Sequence, residues 1–204
     1  MRKGAVVIVG LVVLCCSALS GPAFAETGDK LLRFGVLFSS PTDDFSEAGQ
    51  TTEFDDSTGV LVAFEYWVTD RIGIEPSIST GSYDIEVEEI GFPDLDFGEI
   101  DLLELNVSAN FHLMRERKVD LFVAPTLGYA MWDDIESDVF LQDVSTGDEF
   151  VYGFTVGVDV PFGKEKWAFT GGLNYMFSDV TIDGSSDELG VSPLNIRLGA
   201  AYSF

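Results

Sequence analysis

The sequence is poor in cysteine and in basic residues, and each shortage excludes a class of protein. Its only cysteines, Cys15 and Cys16, lie near the start of the chain, so the rest of it cannot be a scaffold held together by disulfides. There are 11 Lys and Arg against 35 Asp and Glu, a net charge of −24. Such a chain has no basic patch that could displace counterions from phosphates, so we expect no nucleic-acid partner.

The start of the chain has the features of a secretory signal peptide. A basic beginning is followed by an apolar run from Ala5 to Leu14 and by small residues of the A-x-A type that end at Ala25. The apolar run is short for a membrane-spanning helix, which needs about 20 residues. We therefore expect residues 1–25 to be cleaved and residues 26–204 to form one exported domain.

The rest of the sequence lacks a sustained helical period and instead alternates with a period of two. In the last segment, from Leu194 to Phe204, apolar residues alternate with mostly small or polar residues. Eight such segments follow one another along the chain, and each has about 10 residues, the length at which a tilted strand crosses a bilayer. The pattern predicts eight β-strands.

Two architectures use strands of this kind, and the composition of the two faces distinguishes them. A soluble sandwich turns its apolar face inward, whereas a membrane barrel turns it to lipid. The second face here is rich in Gly, Ala, Ser and Asn, which suits a crowded lumen, and aromatic residues gather at both ends of the apolar faces. We therefore predict an all-β fold, an eight-stranded antiparallel up-and-down transmembrane β-barrel. One aromatic girdle contains Tyr66, Phe111, Phe162, Trp167, Tyr202 and Phe204, and the other contains Phe38, Tyr129, Phe150, Tyr152 and Phe177.

Short and long connections alternate between the predicted strands. Outer-membrane barrels have short periplasmic turns and long external loops, so we expect both termini to face the periplasm. The aromatic last strand, with Tyr202 and the terminal Phe204, matches the signal by which the barrel assembly machinery recognises its clients. The short turns are 69–71, 114–118 and 163–166, and the long connections are 40–57, 84–101, 133–149 and 179–192.

The negative charge is concentrated in the four long connections. They carry 25 of the 35 carboxylates and no Lys, Arg or His. The simplest interpretation is a solvated surface that resists aggregation. The alternative is that divalent cations bridge these carboxylates to each other or to phosphates of lipopolysaccharide. No connection has the ligand spacing of an EF-hand, so we assign no metal site.

The inward positions divide into a charged part and an apolar part. A lumen of eight strands holds side chains or one small ligand rather than an open channel. Buried charges must pair, so we predict a lumenal ion network. Its members are Arg33, Glu65, Glu75, Glu104, His112, Asp120, Asp159 and Arg197. Near the external end the inward residues are apolar and form a candidate ligand pocket of Leu37, Leu61, Trp132, Val151 and Met176.

Motifs of catalysis are absent from the sequence. It contains no H-E-x-x-H metalloprotease motif, no P-loop and no G-x-S-x-G elbow. Some eight-stranded barrels process lipid A with a His and a Ser near the outer leaflet, but His112 falls at the periplasmic end of its strand. We expect a structural, hydrogen-bonded His112, no enzyme and no cofactor.

The exported chain resembles the outer-membrane protein W family and its small-barrel relatives. The stretches that carry the resemblance are LRFG at 32–35, WVTDRIGIE at 67–75, FVAPTLGY at 122–129 and LGAAYSF at 198–204. The resemblance implies a barrel in outer-membrane lipid that admits small hydrophobic molecules through an apolar external pocket and releases them sideways through the wall. The alternative is a structural or surface barrel whose acidic loops contact cations, lipopolysaccharide or other cells. We expect no peptidoglycan tether.

Overall fold

Eight long antiparallel β-strands make up most of the computed structural model. It describes residues 28–42, 45–47, 50–89, 95–114, 119–133, 136–137, 146–162, 166–182 and 188–204, and the predicted signal peptide lies outside these ranges. The described residues include no helix that is long and apolar enough to cross a membrane. The strands are β1 (Lys30–Ser40), β2 (Ser57–Thr69), β3 (Ile72–Glu89), β4 (Leu95–His112), β5 (Asp120–Trp132), β6 (Glu149–Phe162), β7 (Trp167–Phe177) and β8 (Leu194–Ser203).

The eight strands close into a barrel. Each strand pairs antiparallel with the next one in the chain, and β8 returns to pair with β1 over 10 residue pairs. Closure gives every strand two neighbours, so the wall has no free edge. The predicted eight-stranded antiparallel barrel is therefore confirmed. We call the end where β1 begins and β8 finishes the terminal end, and the end with the long connections the loop end.

Side chains alternate between an apolar outer face and a buried lumen. On the outer face, Phe34 and Val107 are 44% and 53% exposed, whereas their inward neighbours Arg33 and Ser108 are 1% and 6% exposed. A soluble sandwich would have the opposite arrangement, with apolar residues inside. A closed barrel with an apolar exterior satisfies its backbone groups between strands and presents apolar side chains to lipid.

The strands β3 and β4 extend beyond the region that the sequence analysis assigned to them. The predicted connection at 84–101 is wrong, because β3 continues to Glu89 and β4 begins at Leu95. The inward alternation persists in this extension, but the outward residues become polar or acidic. Beyond the lipid, the outer face of a strand does not need to be apolar. The apolar outward residues therefore stop near Gly81, although the strand itself continues. The buried inward residues of the extension are Tyr83, Ile85, Ile100 and Leu102.

The other long connections also contain short β-strands. Backbone pairing therefore holds much of the acidic sequence in extended structure at the loop end. The hairpin of Phe45–Glu47 and Gln50–Phe54 adds to the edge of β3, Glu136–Ser137 adds to β4, and Thr146–Gly147, Asp179–Ile182 and Glu188–Gly190 form a separate three-stranded sheet.

Candidate functional site

Arg33 lies at the centre of the charged half of the lumen. Its Nη1 is 2.7 Å from Glu65 Oε2 and also contacts Glu75 Oε2, and its Nη2 is 2.7 Å from Asp159 Oδ2. All four side chains are buried, and they come from β1, β2, β3 and β6. One guanidinium thus connects four strands through charge-assisted hydrogen bonds, which are the strong ones in a low-dielectric interior.

His112 extends this network toward the terminal end. Its Nδ1 is 2.8 Å from Asp120 Oδ2, and its Nε2 is 2.8 Å from Glu65 Oε1. The imidazole is therefore held between two buried carboxyl groups, one at each ring nitrogen. The ring also packs against the indole of Trp67, with 3.8 Å between ring centres and an angle of 35° between the ring planes. In this position His112 ties β4 to β2 and β5.

Arg197 and Phe122 complete the charged half, and the sequence analysis did not single out Phe122 or Trp67. Arg197 Nη1 is 3.5 Å from Glu75 Oε1. The guanidinium carbons of Arg33 and Arg197 lie 5.1 and 5.4 Å from the centre of the buried Phe122 ring. The ring occupies the space beside its strand partner Gly157, where a Cβ would stand 2.2 Å from Phe122 Cζ. The signal that could have identified Phe122 is its pairing with a lumenal glycine, Gly157, which leaves space for a large aromatic ring.

Glu104 stands apart from the network, contrary to the prediction that it would be a member. Its Oε2 accepts hydrogen bonds from Ser79 Oγ at 3.1 Å and Asn106 Nδ2 at 3.3 Å. Within the described ranges no basic side chain forms an ion pair with it. The physical reason is that Arg197 extends toward the group of carboxylates around Arg33, where the negative charge is concentrated.

Apolar side chains fill the lumen at the loop end. Trp132, Val151 and Met176 of the predicted pocket meet there, while Leu37 and Leu61 are buried on inward positions outside this group. Several members come from segments that the sequence analysis treated as loops, which is why it missed them. We call the group the loop-end cluster: Phe54, Tyr83, Ile85, Ile100, Leu102, Ala130, Trp132, Val151, Met176 and Val191.

A recess of about 530 Å³ opens on the barrel wall beside the loop-end cluster. Hydrogen-bonded pairing between β2 and β3 ends at Val60 and Thr80, directly below it. Leu102 and Trp132 belong both to the cluster and to the lining of the recess, so the recess and the cluster are adjacent in the wall. We call it the wall recess; its lining includes Gly81, Asp101, Leu102, Leu103, Met131 and Trp132.

Comparisons with known proteins agree with this architecture. The family model described as "Outer membrane protein beta-barrel domain" matches residues 11–204. The search of curated proteins finds no match.

Solved structures share the fold at low sequence identity. The outer membrane protein OprG from Pseudomonas aeruginosa is 18% identical with a TM-score of 0.75, over 88% of this chain and 97% of that one. The outer membrane protein AlkL, solved in lipid bilayers, is 16% identical with a TM-score of 0.61, over 92% and 95% of the two chains. The outer membrane protein W of E. coli is 17% identical with a TM-score of 0.54, over 89% and 100%.

Proposed function

The chain belongs to the outer-membrane protein β-barrel domain family, and on that basis we propose that it binds small hydrophobic molecules at its loop end and passes them sideways into the membrane. One observation carries the proposal: Leu102 and Trp132 lie in both the loop-end cluster and the wall recess. An apolar interior beside a recess that is lined on one side by Leu102, Leu103, Met131 and Trp132 offers an apolar solute a route along that side.

A straight passage through the barrel is unfavourable for such a solute. The charged half of the lumen holds Arg33, Glu65, Glu75 and Asp159 in direct contact, and the ring of Phe122 lies beside them. Separating buried ion pairs to admit an apolar molecule costs far more than the solute gains. Leu103 and Met131 occupy outward positions in the lining, at the height where the outer face of β3 turns polar, so a sideways exit would open at the boundary of the lipid.

The proposal includes an orientation and an assembly route. The termini would face the periplasm and the acidic connections the outside, because long loops of such barrels are external. Tyr202 is partly exposed and Phe204 is 49% exposed at the terminal end, where their rings stack 6.3 Å apart. The barrel assembly machinery would recognise these two residues. The role proposed is binding and passage rather than catalysis.

Making the recess polar tests the route. Leu102→Asn keeps the approximate size of the side chain but places an amide without partners between cluster and recess. We expect uptake of a fluorescent apolar solute into vesicles that contain the protein to fall by at least about fivefold. Thr126→Val, a change of similar size in the middle of the lumen, should leave uptake unaltered. Equal uptake by both variants would contradict the route, provided that both migrate as heat-modifiable barrels.

The acidic connections support a second candidate function, a surface barrel that binds divalent cations or lipopolysaccharide. They hold 25 of the 35 carboxylates, and pairing of their short strands brings these segments together at the loop end. We expect millimolar calcium to raise the thermal unfolding temperature more than sodium at equal ionic strength, because bridging relieves repulsion that screening only weakens. Identical effects of the two ions would leave screening as the whole explanation.

A further inference from the structure

A small cavity lies in the lumen between the loop-end cluster and the charged network. Its volume of about 10 Å³ accommodates one particle of the size of a water molecule. The side chains around it come from β1, β2, β3, β4 and β8, and almost all of their polar groups are neutral hydroxyls and amides. The exception is Glu104, the one ionisable carboxylate in the lining.

Two oxygens in the lining of this cavity lack partners. Glu104 Oε1 and Ser57 Oγ are buried, and neither forms a hydrogen bond with any residue that the structure describes. The other oxygen of the same carboxylate is satisfied, since it accepts from Ser79 and Asn106. A buried carboxylate oxygen without a donor is costly, and a proton on Oε1 or a bound cation would each remove that cost.

The charge and volume of the cavity favour a monovalent cation. Calcium sites usually combine several carboxylates among about six to eight oxygen ligands, and magnesium usually keeps several waters, whereas this cavity has one carboxylate and room for one particle. No group of three or more His, Cys, Asp or Glu side chains suited to a metal occurs in the described ranges. A single positive charge would neutralise Glu104 and leave this part of the lumen without net charge.

The wall recess lies next to the cavity and is the nearest described opening to the outside. Thr80, Gly81 and Leu102 line both spaces. Gly81 has no side chain that could fill the space between the recess and the cavity. A Cβ at this position would come within 3.2 Å of Ser57 Oγ. The exposed Asp101 and Asp133 also line the recess, and their charges raise the local concentration of cations.

We propose that Glu104 and Ser57 bind a monovalent cation such as sodium, which enters from the acidic side of the wall recess. The carboxylate supplies the charge, and the Ser57 hydroxyl oxygen coordinates the ion from β2. The ion would share the wall recess with the proposed apolar route, but this proposal does not depend on that route.

Sodium binding to the full-length barrel in detergent micelles tests the site. The line width of the sodium NMR signal is followed as sodium chloride replaces N-methylglucammonium chloride at constant ionic strength. We expect saturable broadening in the wild type, loss of that component in Glu104→Gln, and a half-saturation concentration about tenfold higher in Ser57→Ala. Glu99→Gln is the matched control, because it removes an exposed carboxylate from the same strand and should behave as the wild type.

The variants separate a cation site from simpler explanations. If Glu104→Gln and Glu99→Gln reduce the broadening equally, sodium is bound by the general surface charge and the proposal is wrong. If the wild type and Ser57→Ala titrate identically, Ser57 does not coordinate sodium, and the proposed site is also wrong. Ser57→Ala decides the matter if Glu104→Gln fails to give a heat-modifiable barrel, because it changes no charge. Uptake of apolar solutes is not measured, so the two proposals fail independently.

Discussion

Replacing Arg33 with methionine is expected to lower the free energy of unfolding of the barrel by about 3–5 kcal/mol. Methionine keeps much of the length of the side chain, but Glu65, Glu75 and Asp159 lose the guanidinium that they share. Three buried carboxylates then face one another, and the basic side chains that remain are Arg197, 3.5 Å from Glu75, and His112, 2.8 Å from Glu65. Urea unfolding of the refolded barrel in detergent, followed by the mobility difference between folded and unfolded protein, measures the loss.

Two further variants test whether uncompensated buried charge causes the loss of stability in Arg33→Met. Arg71→Met removes an exposed cation from the turn between β2 and β3 and should change the stability by no more than about 0.5 kcal/mol. Adding Glu75→Gln to Arg33→Met should recover part of the loss, because one buried charge fewer is left unpaired. If Arg33→Met is as stable as Arg71→Met, the network contributes nothing to the stability of the barrel.

The seam between the first and last strands gives the second large effect. Gly199 pairs with Gly35 across the contact of β1 and β8, and a Cβ at position 199 would stand 1.8 Å from the backbone oxygen of Phe34. Backbone atoms cannot yield as a flexible side chain does, so Gly199→Ala must push the two strands apart. We expect a loss of about 1–3 kcal/mol and a lower yield of closed barrel in refolding.

A neighbouring glycine provides the control for this substitution. A Cβ at Gly171 of β7 would meet its nearest neighbour, Leu198 Cδ2, at an ordinary contact distance of 3.6 Å. Gly171→Ala should therefore refold with the yield of the wild type and a stability within about 0.5 kcal/mol of it. Refolding yields that are the same for the two alanine variants would show that the seam tolerates a side chain.

The barrel wall could be predicted from the sequence because lipid and lumen impose different residues on alternate positions. Phe34 and Val107 face outward and Arg33 and Asp159 inward, as the period of two requires. The same argument fails beyond the lipid, where the outer face of β3 turns acidic and only the inward apolar residues still mark the strand. The length of the β3–β4 hairpin therefore could not be inferred from outward hydrophobicity.

The sequence identifies which charged side chains share the lumen, but it does not identify which of them pair. Inward positions identify which side chains share the lumen, but the tilt of the strands determines their relative heights. Arg197 accordingly reaches Glu75, whereas Glu104 bonds only to neutral side chains. Phe122 fits beside the lumenal charges because Gly157 leaves space for its ring. That space can be recognised only when the pairing of β5 with β6 is known.

The position of Arg33 on the first strand bears on how the chain selects its pairing register. Its partner Asp159 is 126 residues further along the sequence, so this bond forms only after β6 has taken its place. A slip of β1 by one residue would turn Arg33 into the lipid and bring Phe34 into the lumen. A slip by two residues would keep the face but move the guanidinium about 7 Å away from its carboxylates. The buried arginine thus penalises both errors and favours the single alignment in which the barrel closes correctly.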